Sequence, residues 1–134
     1  MTRSSIYDTR FFFEYFFSPD PATIQALKNN LQNTGEKMVS AITIHELHRL
    51  NLKKLDKEIA KLRSNLIRSE FKIIDVDYQL AVTSAELSYK YRIPLADSII
   101  AATALEAGCL IVSDDRHFKD IPNLKLIWPI TSPH

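Results

Sequence analysis

The chain has 134 residues, which is enough for one domain with its own hydrophobic core, and we expect a single domain over residues 1–134. Hydrophobic residues make up 46% and charged residues 25%, as in ordinary globular proteins, while the formal net charge is only +1. The whole molecule therefore exerts no general attraction on nucleic acid, and any polyanion binding has to come from a local basic patch.

Cysteine usage and hydropathy indicate the compartment. The single cysteine, Cys109, excludes an intrachain disulfide framework and lies in an apolar run, as a buried thiol would. Asp8 comes before any apolar run that could serve as a signal-peptide core. Uncharged stretches such as 98–105 are far too short to span a bilayer. We expect a cytoplasmic protein without membrane contact.

Hydrophobic periodicity and breaker residues predict strands that alternate with helices. In chain order we expect a strand at 4–7, helices at 10–17 and 22–34, a strand at 38–41, a helical arm at 43–68 in two pieces or with a bend, a strand at 71–76, helices at 78–91 and 94–108, and strands at 109–112 and 124–128. Gly35 and Gly108 both follow helical patterns, where a glycine cap is expected.

Strands separated by helices need crossover connections, which produce a mostly parallel sheet with helices on both faces. The wholly apolar strand at 110–112 agrees, because a parallel strand is buried on both sides. The predicted fold is therefore an α/β sandwich with a mostly parallel five-stranded sheet. In such folds ligands bind outside the carboxyl ends of the strands.

Four carboxylates are predicted to meet at that edge. Asp8 follows the first strand, Glu46 lies in the first turn of the helix after the second strand, and Asp115 follows the fourth strand. Asp97 lies in the first turn of the helix opened by Pro94, and it reaches the others if this helix starts at the same edge. All four could then share one crevice.

Three of these acids also have purely structural interpretations. Glu46 could complete a capping box with Thr43, and Asp114 or Asp115 could cap the short turn that follows them. Asp8 could be a turn residue. Taken singly, these interpretations compete well with a chemical role.

Asp97 is harder to explain structurally, because its helix is apolar almost all round and a buried carboxylate is costly unless it is paired or bound to metal. Two carboxylates about 5 Å apart repel by about 3 kcal/mol at an effective dielectric constant near 20. A divalent cation removes that repulsion, and ligand sets made of oxygen alone favour Mg²⁺ or Mn²⁺ over zinc. Such an ion suits phosphodiester hydrolysis.

Four segments resemble a known family in their order and spacing. They are IYDT at 6–9, SAITIHEL at 40–47, LADSIIAATA at 95–104 and LIVSDDRHF at 110–118. The third is fairly specific, and it stands at the right distance from the V-S-x-D-x-x-F pattern of the fourth. Over essentially its whole length the chain resembles a PIN-domain protein of the VapC toxin type.

The resemblance implies a PIN-like three-layer α/β/α sandwich and a Mg²⁺- or Mn²⁺-dependent endoribonuclease. Such proteins are usually dimeric, and a cognate antitoxin holds them inactive. By position, Asp8, Asp97 and Asp115 match the metal-binding acids, and Glu46 matches the glutamate that supports or joins them. Asp114 precedes the matching acid and is expected to be exposed or to play a supporting part.

Three further residues belong to this expected site. Ser113 stands where the family commonly has threonine or serine, and Thr9 is a second supporting candidate. Arg10 departs from the family, which usually has Asn or Ser there; it could pair with Asp8, contact RNA phosphate or point outward. This departure supports an alternative, a catalytically silent PIN-fold module that binds RNA or protein. An aspartyl-phosphate protein is a weaker alternative, because no lysine directly follows the fourth strand.

Basic residues concentrate on the predicted helical arm, either as a solvated face or as a guide for RNA backbone. Arg49 and Lys53 are the candidates for RNA contact, and the other members are Lys54, Lys57, Lys61, Arg63 and Arg68. Six aromatic residues within 11–17 are too many for a short helix to bury alone, so we expect a partner, a second copy or an antitoxin helix, to cover some of them.

Three histidines are candidate metal ligands. His45 and His48 are three residues apart on one helix, but the sequence offers no closed set of zinc ligands around them. His117 is expected near the acids, although metal-dependent hydrolysis does not require it.

Overall fold

The structure is a computed structural model that describes residues 3–130, so residues 1–2 and 131–134 of the predicted domain lie outside the described residues. Its strands form one sheet in the order β3-β2-β1-β4-β5, and every strand pair is parallel. The strands are β1 (Ser5–Tyr7), β2 (Lys37–Ser40), β3 (Lys72–Ile74), β4 (Leu110–Val112) and β5 (Leu126–Ile127). The predicted five-stranded α/β fold is confirmed, and β1 is its central strand.

The helices agree with the predicted alternation. They are α1 (Thr9–Phe17), α2 (Pro21–Gln32), α3 (Ala41–Lys54), α4 (Lys57–Glu70), α5 (Tyr78–Tyr91) and α6 (Leu95–Ala107), with a 3₁₀ turn at Arg116–Phe118. The predicted arm is in two pieces that pack against each other. Leu55 ends α3, and the Asp56 carboxylate caps α4 by accepting from the Ile59 amide.

Neighbouring residues of each central strand pack on opposite faces of the sheet, as the pleat requires. Ile6, Met38 and Ile111 join a core with residues of α6, whereas Tyr7, Val39 and Val112 join a second core with residues of α1, α2, α3 and α4. The sheet is therefore the middle layer of a three-layer α/β/α sandwich, as the resemblance implied.

Helix α6 is the most deeply buried helix of the described chain, with all residues from Asp97 to Ala104 inside. It ends at Gly108, whose φ of 65° is the left-handed conformation that glycine adopts without strain, as predicted. The corresponding prediction for Gly35 is wrong, because α2 already ends at Gln32 and Asn33 is its cap.

The aromatic run on α1 is covered mainly by the chain itself. Phe11 and Phe12 are buried, and the Phe71 ring lies 5.3 Å from that of Phe12 and 5.4 Å from that of Tyr7. Phe13 is 41% exposed, and Tyr15, Phe16 and Phe17 are partly exposed, so the covering of these rings by a partner stays a prediction. Within residues 3–130, no helix has the length and apolar character needed to cross a bilayer.

Candidate functional site

Asp8 stands at the carboxyl end of the central strand and caps α1. Its Oδ1 accepts from the Thr9 amide at 2.8 Å, and its Oδ2 accepts from the Ser113 hydroxyl at 2.6 Å. The side chain is buried, with only 3% of the residue exposed. Because β1 lies between β2 and β4, this carboxylate occupies the middle of the sheet edge.

Asp115 reaches the same place from the neighbouring strand β4. Ser113 follows β4, and its hydroxyl accepts from the Asp115 amide at 3.0 Å while donating to Asp8. The Asp115 carboxylate caps the 3₁₀ turn by accepting from the His117 amide at 2.9 Å. The capping interpretation of Asp115 is therefore confirmed, and the capping contact leaves it beside Asp8.

Glu46 arrives from α3, but not in the predicted way. The helix begins at Ala41 and is capped by the Ser40 hydroxyl, so Glu46 lies beyond the first turn. The capping box with Thr43 is wrong, because Thr43 is a buried residue inside the helix rather than its cap. Glu46 Oε1 instead accepts from the Thr9 hydroxyl at 2.6 Å, which ties it to the residue after Asp8.

Asp97 lies in the first turn of α6 and is 8% exposed. Its Oδ2 is 2.8 Å from the Nδ1 atom of His117, and the same Nδ1 is 2.9 Å from Oδ1 of Asp115. One ligand atom from each of these three residues lies within 4.8 Å of the others, a spacing at which they could hold a metal ion.

Burial and mutual repulsion raise the pKa values of two of the acids. Burial is the main cause that raises the pKa of Asp8 to about 6. The charges of Asp115 and Glu46 act in the same direction, whereas the hydrogen bonds from Ser113 and Thr9 lower this pKa. Burial and the charges of Asp115 and Asp8 raise the pKa of Asp97 to about 7, against the opposing effect of His117. A cation placed among these groups would favour their charged forms.

Comparison with known proteins agrees with this geometry. The family profile described as PIN domain matches residues 6–124. The chain belongs to the PIN domain family. No curated protein sequence gives a significant match.

Solved structures share the fold of this PIN domain. A toxin-antitoxin complex from Klebsiella pneumoniae is 26% identical, with a TM-score of 0.73 over 95% of this chain and 98% of that chain. DNA-bound VapBC from Salmonella typhimurium is 20% identical, with a TM-score of 0.77 over 97% and 100%. The sarcin-ricin loop cleaving toxin VapC20 from Mycobacterium tuberculosis is 16% identical, with a TM-score of 0.73 over 87% and 93%.

The donor set of this PIN domain fits a divalent ion. Carboxylate oxygens and imidazole nitrogen are common metal ligands, and Asp97, Asp115 and His117 present them at close range. Burial first, and neighbouring carboxylates second, raise the pKa of Asp8 and of Asp97, and a bound cation would offset both effects.

Arg10 borders the acids of the PIN domain but pairs with Asp114 and not with Asp8. Its guanidinium donates to both oxygens of the Asp114 carboxylate, and this pairing raises the pKa of Arg10. Asp114 is exposed, as expected, and holds Arg10 in place. Arg10 therefore leaves the Asp8 oxygens to Thr9 and Ser113.

An open cleft of about 630 Å³ lies along α3, and of the four predicted acids only Glu46 is among its lining residues. Thr9 and Glu46 line it at the acidic end, and the basic side chains of Arg49 and Lys53 line it further along α3. Lys53 is exposed there, and the start of α6 supplies the opposite wall. Of the predicted basic arm, these two residues are the ones that share a cleft with Glu46.

Arg63, another member of the basic arm, has a structural role in this PIN domain. It donates to the Asn51 side chain at 2.8 Å, and its guanidinium carbon lies 4.7 Å from the centre of the Phe16 ring and 5.1 Å from that of Phe17. Its charge therefore stabilises the contact between α4, α3 and α1.

Among the histidines of the described chain, His117 is the one that sequence reasoning undervalued. His48 bonds to Ser64 at 2.7 Å and His45 is exposed, so they form no metal pair. The available signal for His117 was its place two residues after Asp115 in a tight turn, where the imidazole can fold back toward the capping carboxylate.

Proposed function

We propose that this PIN domain is a metal-dependent endoribonuclease that acts as the toxin of a toxin–antitoxin pair. The observation that carries the proposal is the convergence of Asp8, Asp97 and Asp115 at one sheet edge, where burial and like charge raise the pKa of two of them. The family match and the likeness to toxin–antitoxin complexes support it. We also propose a cytoplasmic location, where such a protein would meet its RNA substrate.

Asp97 and Asp115 would hold the ion, with Asp8 beside them. When bound, a divalent ion supplies charge stabilisation to the phosphate and lowers the pKa of a water nucleophile. The Ser113 hydroxyl and the Thr9 amide fix both oxygens of Asp8, so its carboxylate is oriented before substrate arrives.

Glu46 supports the reaction from the cleft side. The Thr9 hydroxyl fixes its Oε1, while the residue lines the cleft through which substrate would approach. A carboxylate in that position can accept a proton from a water molecule or orient it toward phosphorus. We therefore propose Glu46 as the base that acts beside the ion-binding carboxylates.

A nuclease assay on highly purified protein tests the activity. Wild type should cleave single-stranded RNA with Mn²⁺ or Mg²⁺ and lose cleavage in excess chelator. Asp8→Asn and Asp97→Asn should each reduce the rate by about 100-fold or more, whereas the exposed Asp120→Asn should retain it. Equal activity in all variants would identify a contaminating nuclease and contradict the proposal.

The cleft along α3 would guide the RNA backbone. Arg49 and Lys53 line it within reach of the acidic end, and Arg10 borders the same acids. Lys53→Glu should weaken RNA binding and reduce the slope of log affinity against log salt by about 1. Lys61→Glu, an exposed residue of α4 outside the cleft, is the matched control. Unchanged binding by Lys53→Glu would reject this path.

The catalytically silent alternative depended on Arg10 and gains no support from its contacts. Arg10 is paired with Asp114, so it does not occupy the place of a cation at Asp8. Persistent lack of RNA cleavage by a folded protein that still binds Mn²⁺ would favour the alternative.

We further propose an antitoxin and a second copy as partners. The similar Klebsiella pneumoniae structure is a toxin–antitoxin complex, and a gene next to that of this chain would encode the corresponding antitoxin. Co-purification of that product with the chain, and loss of ribonuclease activity in the complex, test the first proposal. Sedimentation equilibrium of the isolated chain tests the dimer.

A further inference from the structure

We propose that His117 is itself a ligand of the ion, so that the site takes a divalent transition metal ion such as Mn²⁺ in preference to Mg²⁺. The inference rests on the metal site of the proposed function and adds the identity of one ligand and the class of ion. Acids alone were expected to make this site, whereas the structure places an imidazole nitrogen between two of them.

The distances around Nδ1 of His117 match those between neighbouring ligands of one ion. Nδ1 lies 2.8 Å from Asp97 Oδ2 and 2.9 Å from Asp115 Oδ1, and the ligand atoms of all three residues lie within 4.8 Å of one another. An octahedral ion with bonds of about 2.1 Å separates adjacent ligand atoms by about 3.0 Å. An ion can thus replace the proton between Nδ1 and the carboxylates with small movements.

The third carboxylate is held differently. Both oxygens of Asp8 already accept hydrogen bonds, from Thr9 and Ser113, and Asp8 lies outside the close group that His117 completes. Nδ1 of His117 has only the two carboxylates as polar partners in the described chain. The imidazole is therefore placed as a third ligand beside Asp97 and Asp115, and the second lone pair on each Asp8 oxygen stays open to the same ion.

The chain also fixes the imidazole before any ion binds. The His117 amide donates to the Asp115 carboxylate at 2.9 Å, which ties the backbone of the 3₁₀ turn to one ligand. The next residue, Phe118, is 1% exposed and packs in the core beside α6. A ligand held in this way loses little conformational freedom on binding, which favours the ion.

An imidazole ligand changes the preference of a site for ions. Mg²⁺ favours sites made of oxygen, whereas nitrogen ligands favour the transition metals, for which affinity rises from Mn²⁺ toward Cu²⁺. The ligand is the neutral imidazole, in which Nδ1 binds the ion through its lone pair and Nε2 carries the ring proton, while any proton on Nδ1 passes to solvent. The side chain is 37% exposed, which gives that proton a route to water.

Titration calorimetry with Mn²⁺ and with Mg²⁺ on the full chain tests the inference. His117→Asn keeps a polar atom near the place of Nδ1 but removes the nitrogen ligand. It should weaken Mn²⁺ binding by at least about tenfold and change Mg²⁺ binding by less than about twofold. His45→Asn removes an exposed histidine that forms no hydrogen bond or ion pair with Asp97 or Asp115, and it should alter neither affinity.

Pulsed electron paramagnetic resonance of the Mn²⁺-loaded protein gives an independent measurement. Wild type and His45→Asn should show the hyperfine coupling of one directly bound nitrogen, and His117→Asn should lack it. Absence of this coupling in wild type, or an equal loss of Mn²⁺ and Mg²⁺ affinity in His117→Asn, would overturn the inference.

A variant of an acidic ligand separates this inference from the proposed function. Asp97→Asn should abolish binding of both ions if the carboxylates form the site at all. If it does so while His117→Asn leaves the ion preference and the spectrum unchanged, His117 only positions the acids and the metal site survives. If wild type binds neither ion, both proposals fail together.

Discussion

Tyr7, the last residue of β1, and Asp8, which follows it, have side chains in two very different environments. Tyr7 enters an aromatic core in which the rings of Phe11, Phe12 and Phe71 surround it, and its hydroxyl donates to Asn30 Oδ1 at 2.6 Å. Asp8 enters the acidic edge, where burial and neighbouring carboxylates raise its pKa to about 6. One environment stabilises the fold, and the other destabilises it until a cation arrives.

The contrast shows how a small domain separates stability from chemistry. Edge-to-face packing of buried rings contributes favourable energy, and the polar atom of Tyr7 is hydrogen-bonded. The carboxylates of the acidic edge repel one another across a poorly solvated crevice. The two environments adjoin at α1, because Asp8 caps the helix that carries Phe11 and Phe12.

Removal of Phe12 should have the largest effect on the stable side. Phe12→Ala leaves a cavity among Tyr7, Phe11 and Phe71, so the free energy of unfolding should fall by about 3–5 kcal/mol. Urea unfolding followed by circular dichroism measures the loss. Phe13→Ala, on the exposed side of the same helix, should cost less than about 1 kcal/mol, and similar losses for both would contradict the packing described here.

The pH dependence of the metal-free protein should be the next largest effect. Between the ordinary pKa of 3.8 and the raised values of about 6 for Asp8 and about 7 for Asp97, the folded protein binds more protons than the unfolded chain. Its stability should therefore fall as pH rises from 4 to 7.5 through these values, by about 3 kcal/mol for Asp8 alone. Urea unfolding at several pH values in excess chelator measures this slope.

The control for that slope is Asp8→Asn, which removes one titrating group while keeping an oxygen for the Thr9 and Ser113 donors. Its stability should depend less on pH over the same range. An unchanged slope would place the pH dependence elsewhere in the molecule.

Neutralising Asp97 should raise the free energy of unfolding, whereas loss of Phe12 lowers it, and the change should be smaller. Asp97→Asn relieves repulsion with Asp115 and Asp8, so the metal-free protein should gain at least about 1 kcal/mol at pH 8. Thermal unfolding with and without Mn²⁺ checks this. The ion should raise the melting temperature of wild type but not that of the variant, and destabilisation of the metal-free variant would contradict the repulsion.

The smallest effect is expected from the Arg10–Asp114 pair at the border of the acidic edge. Both side chains are partly exposed, so Asp114→Asn should change the free energy of unfolding by less than about 1 kcal/mol. The same variant releases Arg10 from its partner, and RNA binding at low salt should not weaken. A larger loss of stability would mean that the pair is part of the packing.

The fold was predictable because its rules are local. Alternating strands and helices, the cap glycine at Gly108 and the apolar strand at 110–112 each follow from a few neighbouring residues. The convergence of Asp8 and Asp115 follows from the parallel sheet, since both lie after adjacent strands.

Other features depended on contacts that no short pattern encodes. The start of α3 was misplaced because Ser40 ends β2 and caps the helix at once, so the apparent cap at Thr43 is already inside it. The burial of the α1 rings depends on Phe71, far along the chain, and the position of His117 depends on how a turn meets α6. Long-range packing decided each case.

The chain order of the four acids has a consequence for how the protein is made. Asp8, Glu46 and Asp97 are synthesised well before Asp115, and β4, which seats Asp115, pairs with β1 from the opposite end of the sequence. A nascent chain still lacking residues 110–115 can assemble neither that strand pair nor the complete acidic edge.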